Sequence, residues 1–328
     1  MRLSKTWAAL LILALILAAP FATRAATCTT QAELSPQDRD LLASTGQRLA
    51  AAVIQQDETT LHNALLPSVA SQWDSIRGAL TYNAPTVKGG QPQLRSLYVL
   101  DATGNAAPAD TQFFCSSANG AMTVTVSLRE LPPGRYAVVL ADAAAAPLAG
   151  QIGFILGWDA NAWKLGGLFI RAGMFDSHDG VFYWQRAREL ARSDSPWAAY
   201  YCYEAARYLL LPVDFISSPN LEKLGQEQAQ IKGSPADQFP ASLQSGDRTF
   251  KIDAIRFDPS LHQADLGITY QSTGVTDPAA QRTEATAVMS ALLKAHPVMR
   301  QSFHGLWAYS SSNGKVTPVM ELPMAQIP

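Results

Sequence analysis

Two positive charges, Arg2 and Lys5, stand ahead of an unbroken apolar run from Trp7 to Ala19, and Pro20 to Ala25 then lead into small residues. This is the three-zone layout of a secretory signal, and it sets the environment in which everything downstream has to fold. Thr23 and Ala25 suit the pockets of a signal peptidase, which places cleavage after Ala25. The run is about 13 residues, short of the roughly 20 that a spanning helix needs, so a retained anchor is the weaker alternative. Lipidation at Cys28 is disfavoured, because Ala25, Ala26 and Thr27 lack the leucine-type position expected before a lipid-bearing cysteine. No later stretch is long and apolar enough to cross a bilayer. The expectation is an exported protein, periplasmic or secreted, with no integral membrane segment after cleavage.

Export makes the cysteines informative, since an oxidising compartment favours pairing. Three remain after cleavage, Cys28, Cys115 and Cys202, so one is left over. Cys202 lies within Tyr200-Tyr201-Cys202-Tyr203, in a helical apolar segment that suits a buried thiol. The predicted bridge is therefore Cys28–Cys115. An apolar fraction of 48% against 16% charged describes a packed chain rather than a disordered one. A net charge of −2 with no local basic cluster argues against nucleic acid as a partner.

Hydrophobic periodicity divides the remainder into three modules, 26–175, 176–233 and 234–328, after a signal over 1–25. Ser35-Pro36 starts a helix carrying Leu41, Leu42, Leu49 and Val53 at helical spacing. Asp57 to Thr60 caps a second helix from Leu61 to Leu80, which Pro67 should break or bend. The period then drops to two through Leu94–Leu100, Thr111–Ser117, Met122–Leu128 and Arg135–Ala141, ending in a hairpin turned at Asp159-Ala160-Asn161. This predicts two helices feeding a curved antiparallel meander, an α+β arrangement. The segment 176–233 is helical throughout, with Ser195-Pro196 and Ser218-Pro219 as helix starts. The last module reads strand, strand, helix, strand (Phe250–Phe257, Ala264–Tyr270, Pro278–Lys294, Gly305–Tyr309), a small ββαβ piece in which Val316–Leu322 would be a further strand.

The order of helices and then strands, closed by Gly153-Phe154-Ile155-Leu156-Gly157-Trp158 and Trp163-Lys164-Leu165-Gly166-Gly167-Leu168, resembles the NTF2-like (cystatin-like) superfamily. Ala187, Leu190, Ala199, Tyr203 and Ala206 are similar in spacing to one tetratricopeptide-type hairpin. The first resemblance implies a cone between helices and sheet, and Trp73, Tyr82, Phe113, Phe154 and Trp163 are the residues that would line such a pocket. It decides little about function, because the superfamily includes enzymes, carriers and interaction modules.

Signatures of catalysis are missing. The chain has no Gly-x-Ser-x-Gly, no His-Glu-x-x-His, no P-loop and no Gly-x-Gly-x-x-Gly turn. Asp74 lies nearest the would-be pocket, but Arg77 one turn on is its simpler partner. Asp176-Ser177-His178-Asp179 carries ligand-type side chains, yet it joins two modules and reads as a capping linker. His296 and His304 bracket a short loop with no carboxylate or thiol beside them in sequence, so no metal is expected. No catalytic residue and no cofactor is nominated. The reading is an exported, non-catalytic binding or scaffold protein with an unknown protein or small-molecule partner. A pocket enzyme (isomerase or hydrolase) in the NTF2-like cone and a carrier of a small apolar ligand stay open beside it.

Overall fold

The computed structural model describes residues 26–116 and 122–328, so the signal and its cleavage point lie outside the described residues. The fold is α+β, as expected. Ser35 caps helix α1 (Pro36–Gln55) by accepting a hydrogen bond from the Asp38 amide, and proline takes the first helical position. Asp57 caps α2 (Glu58–Asn63) in the same way. Pro67 does break the second predicted helix. Ahead of it Leu66 is extended and donates its amide to the Leu165 carbonyl at 2.8 Å, and a 3₁₀ turn then leads into α3 (Trp73–Tyr82) and the short α4 (Ala84–Val87).

The strands do not form one continuous meander. β1 (Thr27–Thr30), β2 (Gln91–Asp101), β5 (Arg135–Ala144), β6 (Gln151–Asp159) and β7 (Ala162–Arg171) pair antiparallel in the order β1-β2-β5-β6-β7. β3 (Ala109–Ser116) and β4 (Thr123–Leu131) peel away, and with β10 (Ile216–Ser217) they make a separate sheet. Two-residue periodicity explains the split. In β5, Ala137, Val139, Ala141 and Ala143 face the helices, while Val138 and Leu140 face Phe113, Cys115, Val126 and Leu128 of the small sheet. The five-stranded sheet has apolar residues on both faces and therefore needs covers on both. At the β6–β7 turn Ala160 and Asn161 both have positive φ, the geometry of a two-residue hairpin loop, and Trp158 pairs with Trp163 across it.

The disulfide is Cys28–Cys115, and Cys202 is free and buried, both as predicted. The bridge ties β1 of the large sheet to β3 of the small one across a separation of 87 residues.

Asp176 and Ser177 form the positive-φ turn between β8 (Met174–Phe175) and β9 (His178–Asp179), and Asp179 then caps α5 (Gly180–Arg192). The segment is thus a turn and cap, as its sequence suggested. α6 (Pro196–Leu210) begins at Ser195, which supplies no side-chain cap bond, whereas Ser218 caps α7 (Pro219–Ala229). The last sheet runs β11 (Ala241–Ser245), β12 (Arg248–Asp258), β13 (Asp265–Gln271), β14 (Gly305–Ser312), β15 (Lys315–Pro323). β13 and β14 are parallel and joined through α8 (Pro278–Ala295), while the other pairs are antiparallel. It is larger than the ββαβ expectation by β11, which is too short and polar to show a period, while β15 is the further strand read at Val316–Leu322. Helices α5, α6 and α8 and this sheet share one apolar core that includes Tyr201, Cys202, Leu266, Ile268 and Met289. Among the described residues no helix is long and apolar enough to cross a membrane.

Candidate functional site

The strand registers of the last sheet separate it into two unlike faces. Ile255 pairs with Ile268, Leu266 with Leu306 and Ile268 with Ala308, which builds the apolar side. Their alternates carry polar groups: Asp258 pairs with Asp265, Arg256 with Gly267, Gly267 with Trp307, and Trp307 with Glu321. One face of a four-strand run therefore holds Arg256, Asp258, Asp265, Trp307, Tyr309 and Glu321, with His304 just before β14.

Asp258 is fully served. Its carboxylate accepts from the Ser260 hydroxyl at 2.6 Å and the Tyr309 hydroxyl at 2.7 Å, with the Arg256 guanidinium at 3.4 Å. Burial opposes its charge, but these donors outweigh burial and hold its pKa below the ordinary value. The Tyr309 phenol is pushed up to about 12 by burial and by its bond to that carboxylate. Arg256 also lies over the Tyr309 ring, 4.4 Å from its centroid.

Asp265 is differently placed. Its side chain is wholly buried, and Oδ1 lies 2.9 Å from His304 Nδ1. Among the described residues the second oxygen, Oδ2, has no hydrogen-bond partner, and neither do Oε1 of Glu321 and Nε1 of Trp307, all three buried atoms. Burial raises the pKa of Asp265 and of Glu321; the Asp265 carboxylate adds to the rise at Glu321, and His304 counters it at both. Gly305 makes the crowding possible: a Cβ there would lie 2.5 Å from Glu321 Oε1, 2.9 Å from the Leu322 carbonyl oxygen and 3.0 Å from Asp265 Oδ1. Ligand-type atoms of Asp265, His304 and Glu321 all fall within 4.8 Å of one another. A cavity of about 160 Å³ reaches His304 and is bordered by Asp176, His178, Tyr183 and Arg186. Two acids and an imidazole so placed can share protons or hold a cation.

The five aromatic residues proposed from sequence do not converge. Phe154 and Trp163 pack in the core between helices and sheet, whereas Phe113 belongs to the core under the small sheet. Trp73 is half-buried and meets His62 edge-on at 5.1 Å. Tyr82 is 53% exposed; its hydroxyl donates to the Ser260 carbonyl at 2.7 Å and its ring lies 5.3 Å from His262. Asp74 and Arg77 form an exposed ion pair at 2.8 Å, as expected. His296 does not join His304: it stacks on Trp197 at 4.0 Å, and burial lowers its pKa. Asp265 and Glu321 were missed as partners of His304 because the pairing of β13, β14 and β15 brings them there, Asp265 from 39 residues away. The legible signal was an aspartate at the start of a strand that is mostly apolar.

No protein-family model and no curated protein matches this chain. Among solved structures, the intermembrane space region of the chloroplast protein ARC6 is similar over 42% of this chain and 98% of its own, at 11% identity and a TM-score of 0.19. A likeness that loose fixes neither fold nor function.

Proposed function

We propose that the chain is an exported, non-catalytic binding protein of the cell envelope, periplasmic where the host has two membranes. The observation that carries this reading is the filled interior between the first helices and the large sheet, where Leu42, Leu49, Leu61, Phe154 and Leu165 have no exposed surface. Pocket catalysis in an NTF2-like cone needs open volume and an acid or base within it. Apolar side chains occupy that position instead. The helices-then-sheet order and the closing Trp158–Trp163 hairpin support an NTF2-like first module. Burial of Ala187, Leu190, Ala199, Tyr203 and Ala206 supports a single tetratricopeptide-type hairpin after it. With its interior closed, such a module binds through its outer surface.

One observation favours a second reading, a carrier of a small apolar ligand. A cavity of about 250 Å³ lies beside the disulfide, lined by Thr30, Leu97, Tyr98, Cys115 and Val124 among others. Native and denaturing mass spectra of the protein cross-linked in, and purified from, its own envelope fraction separate the two. The binding reading expects a stoichiometric protein complex; extra small-molecule mass seen only under native conditions means a carrier. Turnover of an ester, glycoside or phosphate substrate that one acid or histidine substitution abolishes would defeat both.

A further inference from the structure

We propose that Asp265, His304 and Glu321 form a binding site for one borderline first-row divalent cation, zinc in the first instance. The inference goes beyond the binding function proposed above and does not depend on it. Three observations meet here. Ligand-type atoms of the three side chains already lie within 4.8 Å of one another, a spread that ligands at roughly 2.0–2.2 Å from one ion reach with small side-chain motions. Asp265 is wholly buried with Oδ2 unpartnered, and Oε1 of Glu321 is buried and unpartnered beside it. Buried carboxylate oxygens without donors are costly, and paired acids in one site resist joint ionisation unless positive charge is supplied. One imidazole cannot serve every oxygen: without an ion, Nδ1 meets only Oδ1 of Asp265, and this contact gives way when the ion binds.

The donor set selects the ion. Calcium and magnesium prefer shells built almost wholly from oxygen, whereas one imidazole with two carboxylates suits zinc and its neighbours. Three protein ligands leave a coordination position for water, and a cavity borders His304. The site is rigidly floored: Gly305 has no Cβ to block the approach of Glu321 to Asp265, and all three ligands sit on or beside paired strands. Asp258, one pair across from Asp265, is not a ligand, because Ser260, Tyr309 and Arg256 already use its oxygens.

The test is calorimetric titration of zinc chloride into chelator-treated, full mature protein, repeated with cobalt, manganese and calcium chlorides. One zinc per chain is expected, with cobalt giving the visible absorption of a low-coordinate ion and calcium binding far more weakly. His304→Gln and Glu321→Gln should each weaken zinc on the order of 100-fold while leaving the circular dichroism unchanged. His62→Gln, at an exposed histidine on α2, should leave zinc affinity as it is. Absence of stoichiometric zinc binding overturns the proposal, as does parental zinc affinity in both variants or a preference for calcium. Glu321 is only partly buried, so Glu321→Gln keeps the test decisive if a substitution at the buried Asp265 fails to fold.

Discussion

Two partly or wholly buried acid sites, one in the helices and one in the last sheet, solve the same problem in opposite ways. Glu227 on α7 accepts from the Trp184 indole at 2.8 Å, from Arg188 Nε and Nη2 at 2.8 Å each, and from the Tyr203 hydroxyl at 3.2 Å. Four donors serve two oxygens and bind α5, α6 and α7 together. Its pKa is held down to about 2, chiefly by the Arg188 hydrogen bonds acting against burial. Asp265 and Glu321 place two carboxyl groups around a single imidazole, and both pKa values move up. A saturated carboxylate is a structural joint; an under-served pair can take up a proton or a cation. The difference lies in the count of donors, since burial acts in the same direction at both.

The largest effect that sharpens this contrast is at the joint. Glu227→Ala leaves Trp184, Tyr203 and the Arg188 guanidinium without their acceptor. Solvent reaches the pair, with side-chain exposures of 35% for Arg188 and 23% for Glu227, so the value of a fully buried ion pair does not apply. Loss of several hydrogen bonds to a charged group gives an expected destabilisation of about 2–3 kcal/mol, read from urea unfolding. A change under about 0.5 kcal/mol, the size of an ordinary surface substitution, would show that the three helices do not lean on Glu227.

The pH dependence of that joint follows in sign from its depressed pKa. Because the folded-state value lies below the unfolded one, the contribution is full above about pH 4.3, the ordinary glutamate range. It is lost as pH falls towards about 2, the folded-state value. Glu227→Gln should therefore flatten the acid side of the stability curve between those limits and leave the slope near neutrality unchanged. An acid limb identical to that of the parent would place the linkage on other carboxylates.

Tyr309→Phe tests the intermediate case. Asp258 loses one donor but keeps the Ser260 hydroxyl, the Ser260 amide and Arg256, so about 1 kcal/mol of destabilisation is expected. A loss matching that of Glu227→Ala would mean that Asp258 depends on Tyr309 far more than its other partners imply.

The two sites also differ in how much the sequence disclosed. Helix starts were legible because Ser35-Pro36, Asp57 and Ser218-Pro219 act locally, through bonds spanning three residues. The disulfide was legible by elimination, once Cys202 fell in an apolar helical run. Periodicity placed β2 and β5, but it could not show that β3 and β4 leave the sheet, because a strand pattern states which residues are apolar and not which neighbour they cover. Trp184, Arg188 and Tyr203 fell on predicted helices, yet nothing local aimed them at Glu227. The Asp265–His304–Glu321 group was hidden for a topological reason: β13 and β14 pair in parallel only through the α8 crossover, and β15 must then add at the far edge. The predicted strand–helix–strand order was compatible with that crossover, and the absence of a carboxylate near His304 in sequence did not mean its absence in space.

The smallest expected effect decides the comparison, because its sign matters more than its size. Glu321→Gln removes an acid whose charged form burial disfavours and whose Oε1 has no donor. The amide keeps the shape, and its carbonyl oxygen or its NH₂ group can face the Asp265 carboxyl. In metal-free protein near neutral pH the substitution is therefore expected to be neutral or stabilising, by up to about 1 kcal/mol, as replacements of poorly compensated buried charges often are. The same chemical change at Glu227 removes a satisfied charge and must destabilise. Thermal or urea unfolding of the two variants side by side gives opposite signs if donor count governs these sites. Destabilisation of both to the same extent would make the Asp265–Glu321 pair a second structural joint, and donor count would not govern these sites.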